Sequence, residues 1–178
     1  MTHKFENHEI SKQTKILILG TFHPDISNEA DFFYGRSRNY LWRILPLVIN
    51  NQDLKQSPLE NKFEFMKKFN IDFVDVIKKI NVPIGQENNY KDTFIDSLVI
   101  EWKDIIVEIQ NLESLEAVYF TRKTFIGIPN IENEISKIRN HCVKKCIRFC
   151  LLETPSRYSN QRKIEGWRNT IIEKTTCL

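Results

Sequence analysis

Short apolar runs alternate along this chain with longer segments that are apolar on one side only. Residues 15–20, 117–120 and 146–152 are the clearest runs, and residues 71–77 form a fourth that is interrupted by two aspartates. Runs of this length are typical of buried strands. Strands separated by helical segments pair in parallel, with helices on both faces of the sheet. The pattern therefore predicts a three-layer α/β/α fold around a four-stranded parallel sheet.

Helices are predicted in the segments between the strands. Residues 57–60 read Ser-Pro-Leu-Glu, which has the form of a capping box with proline at the first helical position. The helix that follows is expected to bury Phe63, Met66 and Phe69. Asn160 is a suitable cap for the last helix. The predicted helices cover about residues 39–48, 57–69, 102–109, 131–139 and 161–174.

Length and composition fit one soluble domain. A chain of 178 residues with 41% hydrophobic and 28% charged residues is ordinary for a globular protein, and it can fold without disulfides or metals. No apolar run approaches the ~20 residues that span a membrane. The first seven residues lack the apolar core of a signal peptide. We therefore expect a single domain over residues 1–178, a cytoplasmic location and no membrane contact.

The four cysteines do not favour a metal site. Residues 144–152 alternate and are rich in strand formers, which predicts Cys146 and Cys150 on one face of a strand, as small core residues. No pair has the Cys-x-x-Cys spacing of zinc or redox sites. His141 and Cys142 could begin a metal site, but no second cluster supports it. No metal is expected.

The net charge of +3 conceals an uneven distribution. Residues 137–178 contain ten Lys and Arg but three acids, a net charge of +7, whereas residues 1–136 carry −4. A basic segment of this kind suits a polyanionic partner such as a nucleic acid. A solvated face of a helix and strand would give the same count, and charge alone slightly favours that simpler interpretation.

Two polar segments lie where a ligand site is expected. Ligands of open parallel sheets bind beyond the carboxyl ends of the strands, which selects residues 20–27 and 153–160. Three arginines between residues 36 and 43 alternate with aromatic residues. This composition is typical of surfaces that bind phosphates and on which bases stack. The longest predicted loop, residues 81–93, is either functional or an ordinary surface excursion.

The first of these segments resembles the first motif region of the uracil-DNA glycosylase superfamily, in its hypoxanthine (deoxyinosine) and uracil branch. The residues that carry this resemblance, without a gap, are Gly20-Thr21-Phe22, Ser27, Phe33-Tyr34-Gly35, Arg38-Asn39 and Trp42. Weaker similarities to later segments of the branch lie at residues 70–77, 117–120, 152–156 and 167–168. The resemblance covers residues 15–172 and implies a four-stranded parallel sheet between helices.

The resemblance implies a monofunctional, monomeric DNA glycosylase of base excision repair that removes uracil or hypoxanthine without a cofactor. The base would be flipped out of the DNA and stack on Phe22, with Gly20, Thr21 and Tyr34 in the base pocket. Asn39 matches the residue taken as catalytic in this branch, and its amide could position a water or bind the base. The residues expected to contact DNA are Arg36, Arg38, Thr154, Ser156, Arg157 and Ser159.

The chain departs from the branch at several positions. His23 stands where the family has proline, and is either a further catalytic acid/base group or a turn residue. Glu153 also replaces a proline, and its charge would oppose a phosphate if it pointed that way. The alternative to an enzyme is a nucleic-acid-binding module of the same fold without catalysis. A small-molecule α/β hydrolase is disfavoured because the chain has no Gly-x-Ser-x-Gly elbow.

Overall fold

A computed structural model of the chain describes residues 1–26, 30–89 and 91–173. Ser27 and Lys174, which enter the predictions above, lie outside the described residues. Residues Asp96–Leu98 form a 3₁₀ turn. The strands and helices are β1 Ile16–Gly20, α1 Leu41–Asn50, α2 Leu59–Phe69, β2 Ile71–Asp75, β3 Ile77–Ile80, α3 Asp92–Ile95, β4 Val99–Trp102, α4 Ile105–Gln110, β5 Ala117–Phe120, α5 Pro129–Lys144, β6 Arg148–Leu151 and α6 Gln161–Ile171.

The main sheet has four strands in the order β2-β1-β5-β6, all parallel. This confirms the predicted α/β fold with a four-stranded parallel sheet. Gly20 is paired with Asp75, and Leu19 with Phe120, so the carboxyl ends of the strands lie along one edge. The polar segments that leave these strands therefore begin side by side.

The alternation of side chains along β1 explains the three layers. Leu17 and Leu19 are fully buried in a core that includes the apolar sides of α4 and α5. Ile18 faces the other way, into a core shared with α1, α2 and α6. Trp42 lies in this second core, and its indole N–H donates to the Phe33 carbonyl at 2.8 Å.

The segment predicted as one strand at residues 71–77 is in fact two. β2 ends at Asp75, and β3 pairs with β4 as a separate antiparallel ribbon. This ribbon was not predicted, because its strands are four residues each, too short for a clear alternating pattern. Trp102, which we placed on a helix, ends β4.

The prediction for residues 57–69 was partly wrong. Pro58 is the residue before α2, and no side chain caps the helix, so the expected capping box is not formed. Met66 faces the core as predicted, together with Phe65, whereas Phe63 is 45% exposed and packs against Phe32 at 4.8 Å.

The cysteine prediction was wrong at one position. α5 extends to Lys144, and Cys146 lies in the left-handed turn that follows it, with φ of 56°. Cys146 is therefore exposed, whereas Cys150 lies in β6 and is buried as predicted. At the start of α6 the prediction is confirmed, because Asn160 Oδ1 accepts from the Lys163 amide at 2.9 Å.

Candidate active site

A cleft of about 690 Å³ opens at the carboxyl edge of the main sheet. Its walls are the segments that follow β1, β5 and β6, together with the end of β2 and the start of α3. Phe22, Asn39 and Ser156 all line it, as expected if they form one site. The other predicted site residues that line it are Gly20, Thr21, His23, Tyr34, Arg36, Thr154 and Arg157. Arg38 and Ser159 are the predicted site residues that do not.

A larger cavity of about 1030 Å³ lies behind the first residues of the chain, against α4. It shares Asp75 with the cleft, but none of the described residues that line it was predicted as a site residue. The cleft is the better candidate because it lies beyond the carboxyl ends of the parallel strands, where such folds bind ligands.

The loops after the first and last strands are joined by backbone hydrogen bonds. The Tyr40 amide donates to the Pro155 carbonyl and the Arg157 amide donates to the Arg38 carbonyl, each at 2.9 Å. Asn39 and Ser156 are directly opposite each other in this short antiparallel pairing. Two segments about 115 residues apart in the chain thus form one wall of the cleft.

Asn39 presents a hydrogen-bond donor to the cleft. Its Oδ1 accepts from the Leu41 amide at 3.0 Å at the start of α1, which identifies the oxygen of the side-chain amide. Its NH₂ group makes no hydrogen bond within the described part of the chain. The amide therefore offers a donor, rather than an acceptor, to a ligand in the cleft.

Gly20 is required by the side chains packed against it. A Cβ at this position would lie 2.0 Å from Asp75 Oδ1 and 2.8 Å from the Tyr34 hydroxyl oxygen. From the resemblance, this glycine was predicted to lie in the base pocket. In the structure, the glycine makes room for a carboxylate and a phenol at the end of β1.

Tyr34 contributes a neutral hydroxyl at this point. Its backbone is left-handed, with φ of 56°. The Thr121 hydroxyl donates to the Leu19 carbonyl at 3.2 Å, so the Tyr34 hydroxyl is the donor in its 3.1 Å contact with Thr121 Oγ1. Burial of the phenol, followed by the nearby Asp75 charge, raises the pKa of Tyr34 well above its usual value. The phenol is therefore protonated at neutral pH.

Phe22 and His23 are mostly buried in the cleft wall, 8% and 5% exposed. The Phe22 ring meets the His3 ring edge-on at 5.7 Å, and the His23 ring lies 4.8 Å from Phe5. His3 Nε2 in turn lies 2.7 Å from Asp75 Oδ2. The His3 ring therefore contacts both the Phe22 ring and the Asp75 carboxylate.

Asp92 connects three walls of the cleft. One carboxylate oxygen accepts from the Thr21 hydroxyl at 2.9 Å, and the other is paired with the Arg122 guanidinium. Arg122 also donates to the Thr124 carbonyl. Asp92 begins α3 and lies near the end of the loop predicted at residues 81–93, so this network fixes the end of that segment against the segments that follow β1 and β5.

Lys163 organises the loop that follows β6. It is 1% exposed, and its Nζ donates to the carbonyls of Thr154, Ser156 and Tyr158 at 2.9, 3.4 and 3.0 Å. Burial lowers the pKa of this lysine, and the nearby Glu153 charge opposes the effect. Glu153 also accepts from the Tyr158 hydroxyl at 3.2 Å, so its carboxylate is held beside Lys163 and Tyr158.

Cationic side chains outnumber acidic ones around the cleft. The acids are Asp75, Asp92 and Glu153, and the last two are paired with Arg122 and Lys163. The cations are Arg36, Lys91, Arg122, Lys123, Arg157 and Lys163. Among the described residues, no group of His, Cys, Asp and Glu is arranged to hold a metal ion, and no helix is long and apolar enough to cross a membrane.

Comparison with known proteins gives two matches. No family model matches the chain. A hypoxanthine DNA glycosylase from Methanosarcina barkeri (strain Fusaro / DSM 804) is 32% identical over 91 residues, and the match covers 51% of this chain and 57% of the relative. The chain therefore spans little more than half the length of that relative.

The solution NMR structure of a candidate uracil DNA glycosylase from Methanosarcina acetivorans superposes with a TM-score of 0.62, at 20% identity, over 90% of this chain and 92% of the other. The chain has a uracil-DNA glycosylase-like fold. The resemblance to the uracil-DNA glycosylase superfamily, in its hypoxanthine and uracil branch, is confirmed by these two matches.

Several residues that line this cleft or contact its walls were not predicted. Asp75 ends a parallel strand, so the rule that selected residues 20–27 would have found it had it not been treated as an interruption. Asp92 and Arg122 follow a loop and a strand at the same edge. His3 and Lys163 had no signal in the sequence, because a histidine near the start of a chain and a lysine in a helix are ordinarily solvated.

Proposed function

We propose that this protein is a monofunctional DNA glycosylase that hydrolyses the N-glycosidic bond of uracil or hypoxanthine in DNA, as a step of base excision repair. The observation that carries the proposal is the single cleft in which Phe22, Asn39 and Ser156 meet at the carboxyl edge of the sheet. The hypoxanthine DNA glycosylase similarity supports it. The cleft offers an aromatic ring, an amide donor and hydroxyl groups around a space large enough for one nucleotide.

The reaction needs no group beyond water and the side chains of the cleft. Water attacks C1′ of the deoxyribose, the bond from C1′ to the base nitrogen breaks, and its electron pair leaves with the base. The proton lost by the attacking water neutralises the base anion. The free donor of Asn39 would stabilise that anion as it forms, because a hydrogen bond placed where charge develops lowers the barrier.

Asp75 and Tyr34 suit the recognition of one base edge. Asp75 is a hydrogen-bond acceptor in the cleft that Phe22 also lines, whereas Tyr34 is a neutral phenol in the same cleft. Uracil and hypoxanthine both carry a ring N–H beside a carbonyl, so a carboxylate oxygen can accept that N–H. Cytosine and adenine have a lone pair at this ring position, which a carboxylate repels. Selection against cytosine and adenine follows from this arrangement, whereas thymine and guanine carry the same ring N–H and are not distinguished by it.

The mouth of the cleft suits a DNA backbone. The side chains of Arg36, Lys91, Lys123 and Arg157 bring positive charge from four different segments. Ser156 and Thr154 add hydroxyls just before the start of α6, where backbone N–H groups favour phosphate. The pairing of Glu153 with Lys163 and Tyr158 reduces the repulsion that its charge would otherwise exert on a phosphate.

The direct test is excision from oligonucleotides that contain one uracil or one hypoxanthine, followed by alkaline cleavage of abasic sites. We expect strand cleavage at the lesion and none at matched cytosine or adenine. If no lesion is excised while salt-sensitive DNA binding persists, the protein is the non-catalytic nucleic-acid-binding module.

Asn39 is tested with two variants, because its oxygen also accepts from the Leu41 amide at the start of α1. Asn39→Ala removes both this acceptor and the donor, whereas Asn39→Asp keeps an acceptor for the Leu41 amide and removes the NH₂ group. Both are expected to lose excision and retain DNA binding, and Asn39→Ala should unfold about 1 kcal/mol more easily. Full activity in either variant would refute the role of Asn39.

His23 remains a prediction as a second catalytic residue. Its ring lines the cleft but is mostly buried beside Phe5. A His23→Gln variant compared with wild type across pH 5 to 9 separates the two interpretations. Loss of one limb of the pH–rate profile supports an acid/base role, whereas an unchanged profile identifies a turn residue.

A further inference from the structure

The first residues of the chain form a strap, residues 1–5, across the carboxyl edge of the main sheet. On one side, the His3 amide donates to the Lys78 carbonyl of β3 at 3.0 Å. On the other side, the Lys4 amide donates to the His23 carbonyl at 2.8 Å and the Asp25 amide donates to the Thr2 carbonyl at 3.0 Å. The strap is thus held at both sides by backbone hydrogen bonds, which places His3 above the end of β2.

The hydrogen bonds of the His3 ring identify its tautomer. The Phe5 amide donates to Nδ1 at 3.0 Å, so Nδ1 is the acceptor nitrogen and carries no hydrogen. The proton of the neutral ring is therefore on Nε2, which donates to Asp75 Oδ2 at 2.7 Å. Both side chains of this pair are more than 90% buried, and ring contacts with Phe5, Phe22 and Phe33 hold the imidazole in place.

Only one oxygen of the Asp75 carboxylate is used by the protein. Oδ2 accepts from His3, whereas Oδ1 accepts no hydrogen bond within residues 1–26, 30–89 and 91–173. Oδ1 instead packs over the Cα of Gly20, where a Cβ would collide with it. Because Asp75 lines the cleft, a ligand N–H bound there would supply the donor that Oδ1 lacks.

We propose that His3 is a positioning residue for base excision, which acts through Asp75. The inference rests on the proposed function. The Nε2–H group of His3 holds Oδ2 and so turns Oδ1 toward the base. Without this donor, the carboxylate can rotate or take up a proton, and in either case Oδ1 no longer offers a fixed acceptor to the ring N–H of the base.

The chain supplies a matched control. His8 Nε2 also lies 2.7 Å from a buried carboxylate oxygen, Asp72 Oδ1, and the His8 ring also packs against Phe33. Asp72 does not line the cleft. His3→Phe and His8→Phe therefore each keep a ring and lose one hydrogen bond to an aspartate of β2, but they differ in whether that aspartate faces the cleft.

The experiment measures single-turnover excision of uracil and hypoxanthine, and DNA affinity, for each folded variant. We expect His3→Phe to lower the excision rate constant at least tenfold with unchanged DNA affinity, and His8→Phe to leave both within twofold of wild type. His3→Gln retains a side-chain N–H and should recover part of the rate. In an Asp75→Asn background, His3→Phe should have no further effect, because its action passes through the carboxylate.

The outcomes separate this inference from the proposed function. Wild-type protein that excises neither base overturns the proposed function, and this inference with it. An active wild type whose rate is unchanged by His3→Phe overturns the inference alone. The same holds if His3→Phe and His8→Phe slow excision equally, or if His3→Phe remains harmful in the Asp75→Asn background, since the histidine would then act through general stability.

Discussion

Two histidine–aspartate pairs flank β2, one near each end of the strand, and they differ in how completely the aspartate is used. Asp72 accepts from His8 and from the Phe73 amide on Oδ1, and from the Ser11 amide on Oδ2, at 2.7 to 2.9 Å. Asp75 accepts from His3 on Oδ2 and makes no other hydrogen bond to a described residue.

The difference shows how a structural charge can be told from a charge that is available to a ligand. A buried carboxylate is tolerated where donors satisfy it. For Asp72 the chain provides all of them, so this aspartate ties residues 8–11 to the sheet. For Asp75 the chain leaves one oxygen without a donor in the cleft, and this is the oxygen that we assign to the base.

Exchange of each aspartate for asparagine gives the largest contrast. Asp75→Asn is expected to lower excision about a hundredfold, because it removes the acceptor and places a donor or a weaker acceptor before the ring N–H. Asp72→Asn should keep activity but reduce the free energy of unfolding by about 2 kcal/mol, because three donors lose a charged partner. Single-turnover kinetics and urea unfolding measure the two effects. An equal loss of activity in both variants would contradict the distinction between a structural Asp72 and a ligand-binding Asp75.

Gly20→Ala tests the role of Asp75 Oδ1 by changing the residue against which this oxygen packs. The added Cβ would lie 2.0 Å from Asp75 Oδ1, so the carboxylate must move away from the position that we assign to it. We expect excision to fall about fiftyfold, with a loss of about 2 kcal/mol in unfolding free energy from overpacking.

Gly166→Ala is the control for this substitution, because a Cβ there meets nothing within 4 Å. If Gly20→Ala excises as fast as Gly166→Ala, the position of Oδ1 does not matter to the reaction.

Lys163 extends the comparison to a buried cation. The chain itself satisfies the hydrogen bonds of this side chain, as it does for Asp72, because three backbone carbonyls accept from Lys163 Nζ. Lys163→Met should therefore destabilise the fold by about 2 kcal/mol and weaken DNA binding several-fold by loosening the loop after β6. Of the three quantities, stability, DNA affinity and the excision rate constant at saturating enzyme, the rate constant should change least. A large fall in that constant at unchanged affinity would show that Lys163 takes part in the chemistry.

Tyr34→Phe is expected to have the smallest effect, about 1 kcal/mol of stability at neutral pH from the lost hydrogen bond to Thr121. The raised pKa of Tyr34 gives this difference a pH dependence. The stabilisation is complete below the ordinary tyrosine pKa and is lost as the pH rises above it, because the unfolded phenol ionises first. Urea unfolding at pH 8 and pH 10.5 should show the gap between wild type and variant closing, and a constant gap would contradict the assignment.

The parallel sheet could be predicted from the sequence because it depends on a local pattern. Short apolar runs such as that ending at Gly20 and that ending at Phe120 must be buried, and the helices between them force parallel pairing. The β3–β4 ribbon escaped this reasoning, because each strand is short and its pairing partner lies about 20 residues away.

The site was predictable where a motif or the edge of the sheet marked it. Phe22, Asn39 and Ser156 were selected in this way, and the structure brings them to one cleft. Asp75 was passed over because an aspartate in a strand resembles an interruption. Whether its carboxylate is satisfied by the chain cannot be known until every nearby donor has a position.

By itself, the sequence determined the α/β layering, the edge of the sheet where a site must lie and the resemblance to the uracil-DNA glycosylases, since each depends on residue order or spacing. Only the tertiary structure decided that His3 meets Asp75 across 72 positions, that Lys163 lies beneath the last loop and that the two aspartates of β2 differ. These features depend on which donors surround a buried charge, and those donors come from segments that only folding brings together.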